Sequence, residues 1–155
     1  MTIAHEAWLV VRYKINEQLR FERNLHNQNI EFYIPRIFTN TLKGSNKKSE
    51  VLFPGYGFIR LANTNLQALG NTLGLISIIR FGDQFAMAED SMITQFKELE
   101  SSPEIQPIRA KRLAKDDMAL VTSGPFKGYM SKILTTSAKD RATILISLLG
   151  SERTL

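Results

Sequence analysis

The chain has no cysteine and only two histidines, His5 and His26, among 155 residues. Without cysteine, disulfides, thiol catalysis and cysteine-ligated zinc are excluded. His5 lies in the N-terminal segment and His26 near a predicted helix end, so neither has a setting suited to acid–base catalysis. No run of about 18 apolar residues occurs, so no segment reads as a membrane-spanning helix. Residues 1–7 show no basic stretch followed by an apolar one, which argues against a signal peptide and for a cytoplasmic protein. Phosphate-loop, zinc-helix, nucleophile-elbow and dinucleotide-turn motifs are all missing. The Asp116-Asp117 pair has no evident partner group and reads as a turn or strand opening. The expectation is a protein that is not an enzyme and needs no metal or cofactor.

What is present is ordinary globular material: 43% hydrophobic and 23% charged residues. Twenty Lys and Arg oppose fifteen Asp and Glu, a formal charge of +5 that favours a polyanionic partner without demanding one. Arg12, Lys14, Arg20, Arg23, Arg36, Lys43, Lys47 and Lys48 fall in the first fifty residues, and Arg109, Lys111, Arg112 and Lys115 form a later cluster.

Trp8–Tyr13 is rich in β-formers and reads as a buried strand. Asn16 offers a cap to a helix from about Glu17 to Asn27, with Leu19, Leu25 and Ile30 near a helical spacing. Phe32–Phe38 is extended, with Pro35 at an edge or strand end. Residues 39–49 read as a loop or hairpin tip in water, and 51–61 as a strand. A short helix is expected over 65–71, a strand over 75–81 ended by Gly82-Asp83, and a helix from Asp90 to about Glu100.

This order gives an α+β fold with helices on a mainly antiparallel sheet over residues 1–100, a linker over 101–114 and a small module over 115–155. The last module is open between two readings. Its apolar runs around the Gly124-Pro125 turn suit short barrel strands, while Ala138, Ala142, Leu145 and Leu149 also share one helical face.

Two stretches carry the binding expectation. After Pro54-Gly55, Tyr56 and Phe58 lie on the same strand face, as either core or an aromatic patch for a protein partner. Arg12, Lys14, Arg20 and Arg23 gather around the first strand's end, as a solvated face or a phosphate-contacting patch.

Trp8, the run Ser49–Tyr56 and the turn Gly124-Pro125-Phe126-Lys127-Gly128 together resemble the NusG family of transcription factors. The likeness covers about residues 7–150. Ile79–Gly82 and Arg141–Leu149 look most like the specialised RfaH-type branch, from which Ile15, Leu73 and Asn65–Ala68 depart.

The resemblance implies an NGN-like domain that binds RNA polymerase at the clamp through Phe53, Pro54, Tyr56 and Phe58, suppressing pausing and termination. It implies upstream or non-template DNA contacts by Arg12, Lys14, Arg20, Arg23 and Asn24. The C-terminal module would be a KOW unit, either a β-barrel or an α-helical hairpin. It would face a small-subunit ribosomal protein or, in general members, Rho. In the hairpin form it would cover the polymerase site through Glu50, Phe126, Arg141 and Leu145. The chain would be a monomer. KOW turns also occur in ribosomal proteins, so a ribosome- or RNA-binding structural protein is the alternative.

Overall fold

In the computed structural model the described residues are 7–40, 47–62, 64–101, 133 and 137–151. The chain begins with β1 (Ala7–Tyr13), in which Trp8 to Val11 and Tyr13 are buried. A 3-10 turn over Ile15–Glu17 leads into α1 (Gln18–Asn27). Asn16 is therefore not a helix cap: it lies inside the turn, and no side-chain cap closes this end of α1. The far end closes as expected, with Asn29 in the left-handed region at φ 57 and the Ile30 amide bonded back to the Leu25 carbonyl at 3.0 Å.

Next come β2 (Phe32–Tyr33), β3 (Arg36–Asn40) and β4 (Lys47–Val51). β3 and β4 pair antiparallel from Arg36↔Val51 to Asn40↔Lys47, so of the expected loop or hairpin tip over 39–49 the two ends, 39–40 and 47–49, are strand, and 41–46 lie outside the described residues. The strand expected over 51–61 is broken at Leu52–Gly55, and only β5 (Tyr56–Arg60) continues it. α2 (Leu66–Gly70) starts at Asn65, whose Oδ1 accepts the amides of Gln67 and Ala68 at 2.9 and 3.2 Å.

β6 (Leu75–Ile78), β7 (Arg80–Phe81), β8 (Gln84–Phe85) and β9 (Met87–Glu89) follow. Where the sequence suggested one strand over 75–81, the chain leaves the sheet at Ile79 and makes a small hairpin about Gly82, φ 62. It then returns as β9, an element the pattern did not reveal. α3 (Asp90–Ser101) matches the expectation closely.

The main sheet runs β2-β5-β1-β6, with β9 also antiparallel to β1. Because side chains alternate along β1, its two faces build two cores. Leu9, Val11 and Tyr13 face Phe21 and Leu25 of α1 and Leu69 of α2. Trp8 and Val10 face the other way, joining Phe58, α3 residues Met92, Ile93, Phe96 and Leu99, and Leu52 and Phe53. Each such buried apolar side chain contributes about 1.5–3 kcal/mol.

α4 (Ala138–Ser151) closes the description. Arg141, Leu145, Leu148 and Leu149 form its buried stripe, at helical spacing. The three leucines, together with Ile133, extend the core cluster on the α3 face. Of the two readings kept open for the C-terminal module, residues 138–151 thus take the helical one here and not barrel strands. The expected linker at 101–114, Phe126 and the Gly124–Gly128 turn lie outside the described residues, apart from Ser101, which ends α3.

Candidate protein-binding surface

The site is built on the break between β4 and β5. Phe53-Pro54-Gly55-Tyr56 is a tight turn: the Tyr56 amide donates to the Phe53 carbonyl at 3.0 Å, and Gly55 has φ +87. Proline at the second position and a left-handed third residue are the marks of a type II turn, which glycine enters without steric cost. The Tyr13 amide donates to the Gly55 carbonyl at 2.9 Å and pins the turn to β1. A Cβ at Gly55 would stand 3.2 Å from Cγ1 of Ile15, so the turn is also a close approach.

The turn sorts the four expected polymerase-facing residues into two pairs. Phe53 and Phe58 are fully buried. Phe96 of α3 lies between them, edge-on to Phe53 at 5.4 Å and tilted against Phe58 at 5.9 Å. Of the two readings, core or exposed patch, their burial here favours core: Phe96 of α3 packs on both, and the same cluster takes in Leu145, Leu148 and Leu149 of α4. Pro54 and Tyr56 are only half-buried, at the sheet's rim. Tyr56 stands directly across from Arg12 on β1.

α4 lies along this rim. The Arg141 guanidinium donates through Nη2 to Glu50 Oε1 at 3.2 Å and through Nη1 to the Leu52 carbonyl at 3.4 Å. One cation thus bonds the end of β4 and the start of the break. The Arg141 side chain is only 7% exposed and that of Glu50 20%, so this is not the solvent-exposed ion pair that contributes least. Leu145, the other expected interdomain residue within the described set, is fully buried. Further along, a Cβ on Gly150 would touch the Phe81 ring at 3.6 Å, which brings the last turn of α4 against the β7–β8 hairpin. Between α4 and the turn runs an open groove of about 680 Å³, walled by Ile15, Pro54 and Tyr56 on one side and Ala138, Ala142 and Ile146 on the other.

The expected DNA-facing residues do not behave alike. Arg12, Lys14, Arg20 and Arg23 are exposed. Glu17 lies between two of them, 3.3 Å from Lys14 Nζ and 3.1 Å from Arg20 Nη1. The hydrogen bond from Lys14, aided by Arg20, holds the Glu17 carboxyl below its ordinary range, so it offsets positive charge over the physiological range. Asn24 is engaged differently: its Oδ1 accepts from Gln28 Nε2 at 3.0 Å and from the Leu73 amide at 3.3 Å. Its Oδ1 thereby braces α1 to the entry of β6.

Sequence reasoning missed Ile15 and Leu19. Leu19 had been grouped with the apolar spacing of α1, yet it is 76% exposed and Ile15 64%. The buried stripe of α1 is Phe21 and Leu25, and the off-period position of Ile15 was the available signal. Among the described residues there is no group of three or more His, Asp or Glu placed to hold a metal ion. No helix among them is long and apolar enough to cross a membrane.

Comparison with known proteins agrees with this fold. The family model described as "Transcription termination factor nusG" matches residues 6–97. That span takes in every element from β1 to nearly the end of α3, and α4 lies beyond it. A search of curated proteins finds no match.

Proposed function

The chain belongs to the NusG family, whose members are transcription elongation and termination factors, and from that premise we propose that it grips RNA polymerase with the rim at Pro54 and Tyr56. In this reading α4 is a cover that must leave before the grip is complete. The observation that supports it most directly is the seat of Arg141: it bonds Glu50 and Leu52, immediately before the turn that presents Pro54 and Tyr56. Phe53 and Phe58 serve the same surface from behind, by fixing the turn against Phe96.

Binding at this rim to the polymerase clamp would keep the enzyme in its active, closed form and so suppress pausing and termination. Arg12, Lys14 and Arg20 are the exposed cations that would hold the upstream or non-template DNA strand, with affinity falling as salt rises. The helical state of residues 138–151 favours an autoinhibited, RfaH-like mode over a constitutively open one. A ribosomal protein or Rho would become a partner of the C-terminal module only after release.

The test is a polymerase pull-down with three full-length chains. Tyr56→Ala is expected to fold and to lose binding. Arg141→Ala is expected to bind more tightly than the unaltered chain, because the cover is loosened. A folded Tyr56→Ala chain with unchanged affinity would remove this rim from consideration.

A further inference from the structure

Two large apolar side chains at the start of this region face outward, Ile15 in the 3-10 turn and Leu19 on α1, although α1 itself buries Phe21 and Leu25. Leu19 and Arg23 are four apart on α1 and so share one stripe, and Ile15 lies in the 3-10 turn just before it. Leu19 and Ile15 are the two most exposed large apolar side chains among the described residues. Beside them opens a concavity of about 800 Å³, whose wall also includes Arg20, Arg23 and Arg36. Of the described residues lining it, Glu17 alone is acidic, and its carboxylate already holds Lys14 and Arg20. Ile15 belongs to this concavity and equally to the groove between α4 and Pro54-Tyr56. Ile15 thus links the groove beside Tyr56 to the concavity in which Leu19 meets arginine.

The chemistry of the lining selects the occupant. No aromatic ring is among these lining residues, whereas surfaces for single-stranded nucleic acid rely on rings on which bases stack. Aliphatic anchors bordered by arginine are instead typical of protein interfaces. We propose that the Ile15–Leu19 patch with Arg23 and Arg36 docks an acidic, amphipathic protein segment, whose aliphatic side meets Ile15 and Leu19 and whose carboxylates meet the arginines. Resting on the reading of Tyr56 as a polymerase contact, the inference assigns this segment to the same polymerase, as an outer half of its footprint. Because α4 stands on the far side of Ile15, the outer half stays open while the inner half is covered. The partner can hold the closed chain there before α4 leaves.

Core RNA polymerase is the probe, titrated against the full-length chain and against full-length Arg141→Ala. Leu19→Glu is expected to weaken binding about tenfold or more in both backgrounds, through a lost anchor and a repelled acid. Leu19→Ala is expected to give a smaller loss in the same direction. Leu19 is so exposed that the fold is not at risk, and an unchanged circular dichroism melt checks this. If Arg141→Ala binds polymerase in a Tyr56-dependent way and Leu19→Glu leaves that affinity within twofold, the patch is not a docking surface although the polymerase reading stands. If neither background binds polymerase, the polymerase reading itself fails and takes this inference with it. If Leu19→Glu abolishes binding of a single-stranded oligonucleotide and spares polymerase, the surface serves nucleic acid and the inference is overturned.

Discussion

Two side chains illustrate how local chemistry sets the energetics. Arg141 is nearly buried, so its hydrogen bonds to Glu50 and Leu52 are worth more than those of a surface pair, and its removal costs more than the pair contributes. Arg141→Ala is expected to weaken the seating of α4 by about 1–3 kcal/mol. Arg141→Lys should recover little, since an ammonium cannot span a carboxylate and a carbonyl as a planar fork does. A double-mutant cycle with Glu50→Ala, followed by urea denaturation, measures the coupling.

Tyr33 makes its contribution in the alkaline range. Burial pushes its phenol well above the ordinary value of 10.0, and the neighbouring Glu100 carboxylate, which accepts its hydroxyl at 3.1 Å, raises it further. The native state thus prefers the protonated phenol, whereas the unfolded chain titrates near its ordinary value. The stabilisation is complete below about pH 10 and is lost progressively as pH rises above it. Tyr33→Phe is expected to cost about 1 kcal/mol at neutral pH and to flatten the alkaline part of the stability curve. Urea midpoints between pH 7 and 11 test both.

At the level of elements, α4 is held mainly by its leucines. Leu145 is fully buried in the cluster that also contains Leu52, Phe53 and Phe96, so Leu145→Ala should cost about 2–5 kcal/mol of its docking. An aspartate at the same position should detach the helix, seen as faster proteolysis of the C-terminal segment. Among the described glycines of residues 7–101 the tightest junction is Gly74, at φ +86, where a Cβ would stand 2.9 Å from Phe21 Cβ. Its carbonyl accepts the Lys14 amide at 2.9 Å, so the position ties the start of β6 to the end of β1. Gly74→Ala combines backbone strain with a clash and is expected to destabilise by more than about 1 kcal/mol, read as a lower denaturation midpoint.

For the molecule as a whole, the proposed cover and the proposed grip would be one equilibrium. If polymerase binds only the open chain, its apparent affinity falls with the open fraction, about tenfold for each 1.4 kcal/mol of α4 docking. A chain ending after Ser101 should therefore bind polymerase more tightly than the full-length protein, with the difference matching the docking free energy obtained from Leu145→Ala and Arg141→Ala. Equal affinities would mean that α4 does not compete with the partner. The same molecule carries a formal charge of +5, and the proposed DNA affinity should fall steeply with salt while the Tyr56 contribution does not.

Much of the fold was legible along the chain because it depends on local periodicity. β1, α1 and α3 were found within a few residues, since alternation and helical spacing follow from backbone geometry wherever an element has one buried face. The Pro54-Gly55 turn was legible for the same reason: fixed φ in one residue and freedom at positive φ in the next are properties of those residues alone. β9 was hidden because Met87–Glu89 is only three residues long and becomes a strand by pairing with Ala7–Leu9.

The sequence by itself determined the N-terminal α+β sheet, the turn at its rim and a surplus of positive charge, because each is a property of a short stretch or a sum over residues. Tertiary structure alone decided the rest. It put Phe53 and Phe58 inside against Phe96, left Pro54 and Tyr56 at the rim, and laid Arg141 across Glu50 and Leu52. It also decided that residues 138–151 form a helix here, since an apolar run that suits either strand or helix takes the form for which a partner surface exists, and the α3 face of the sheet is that surface.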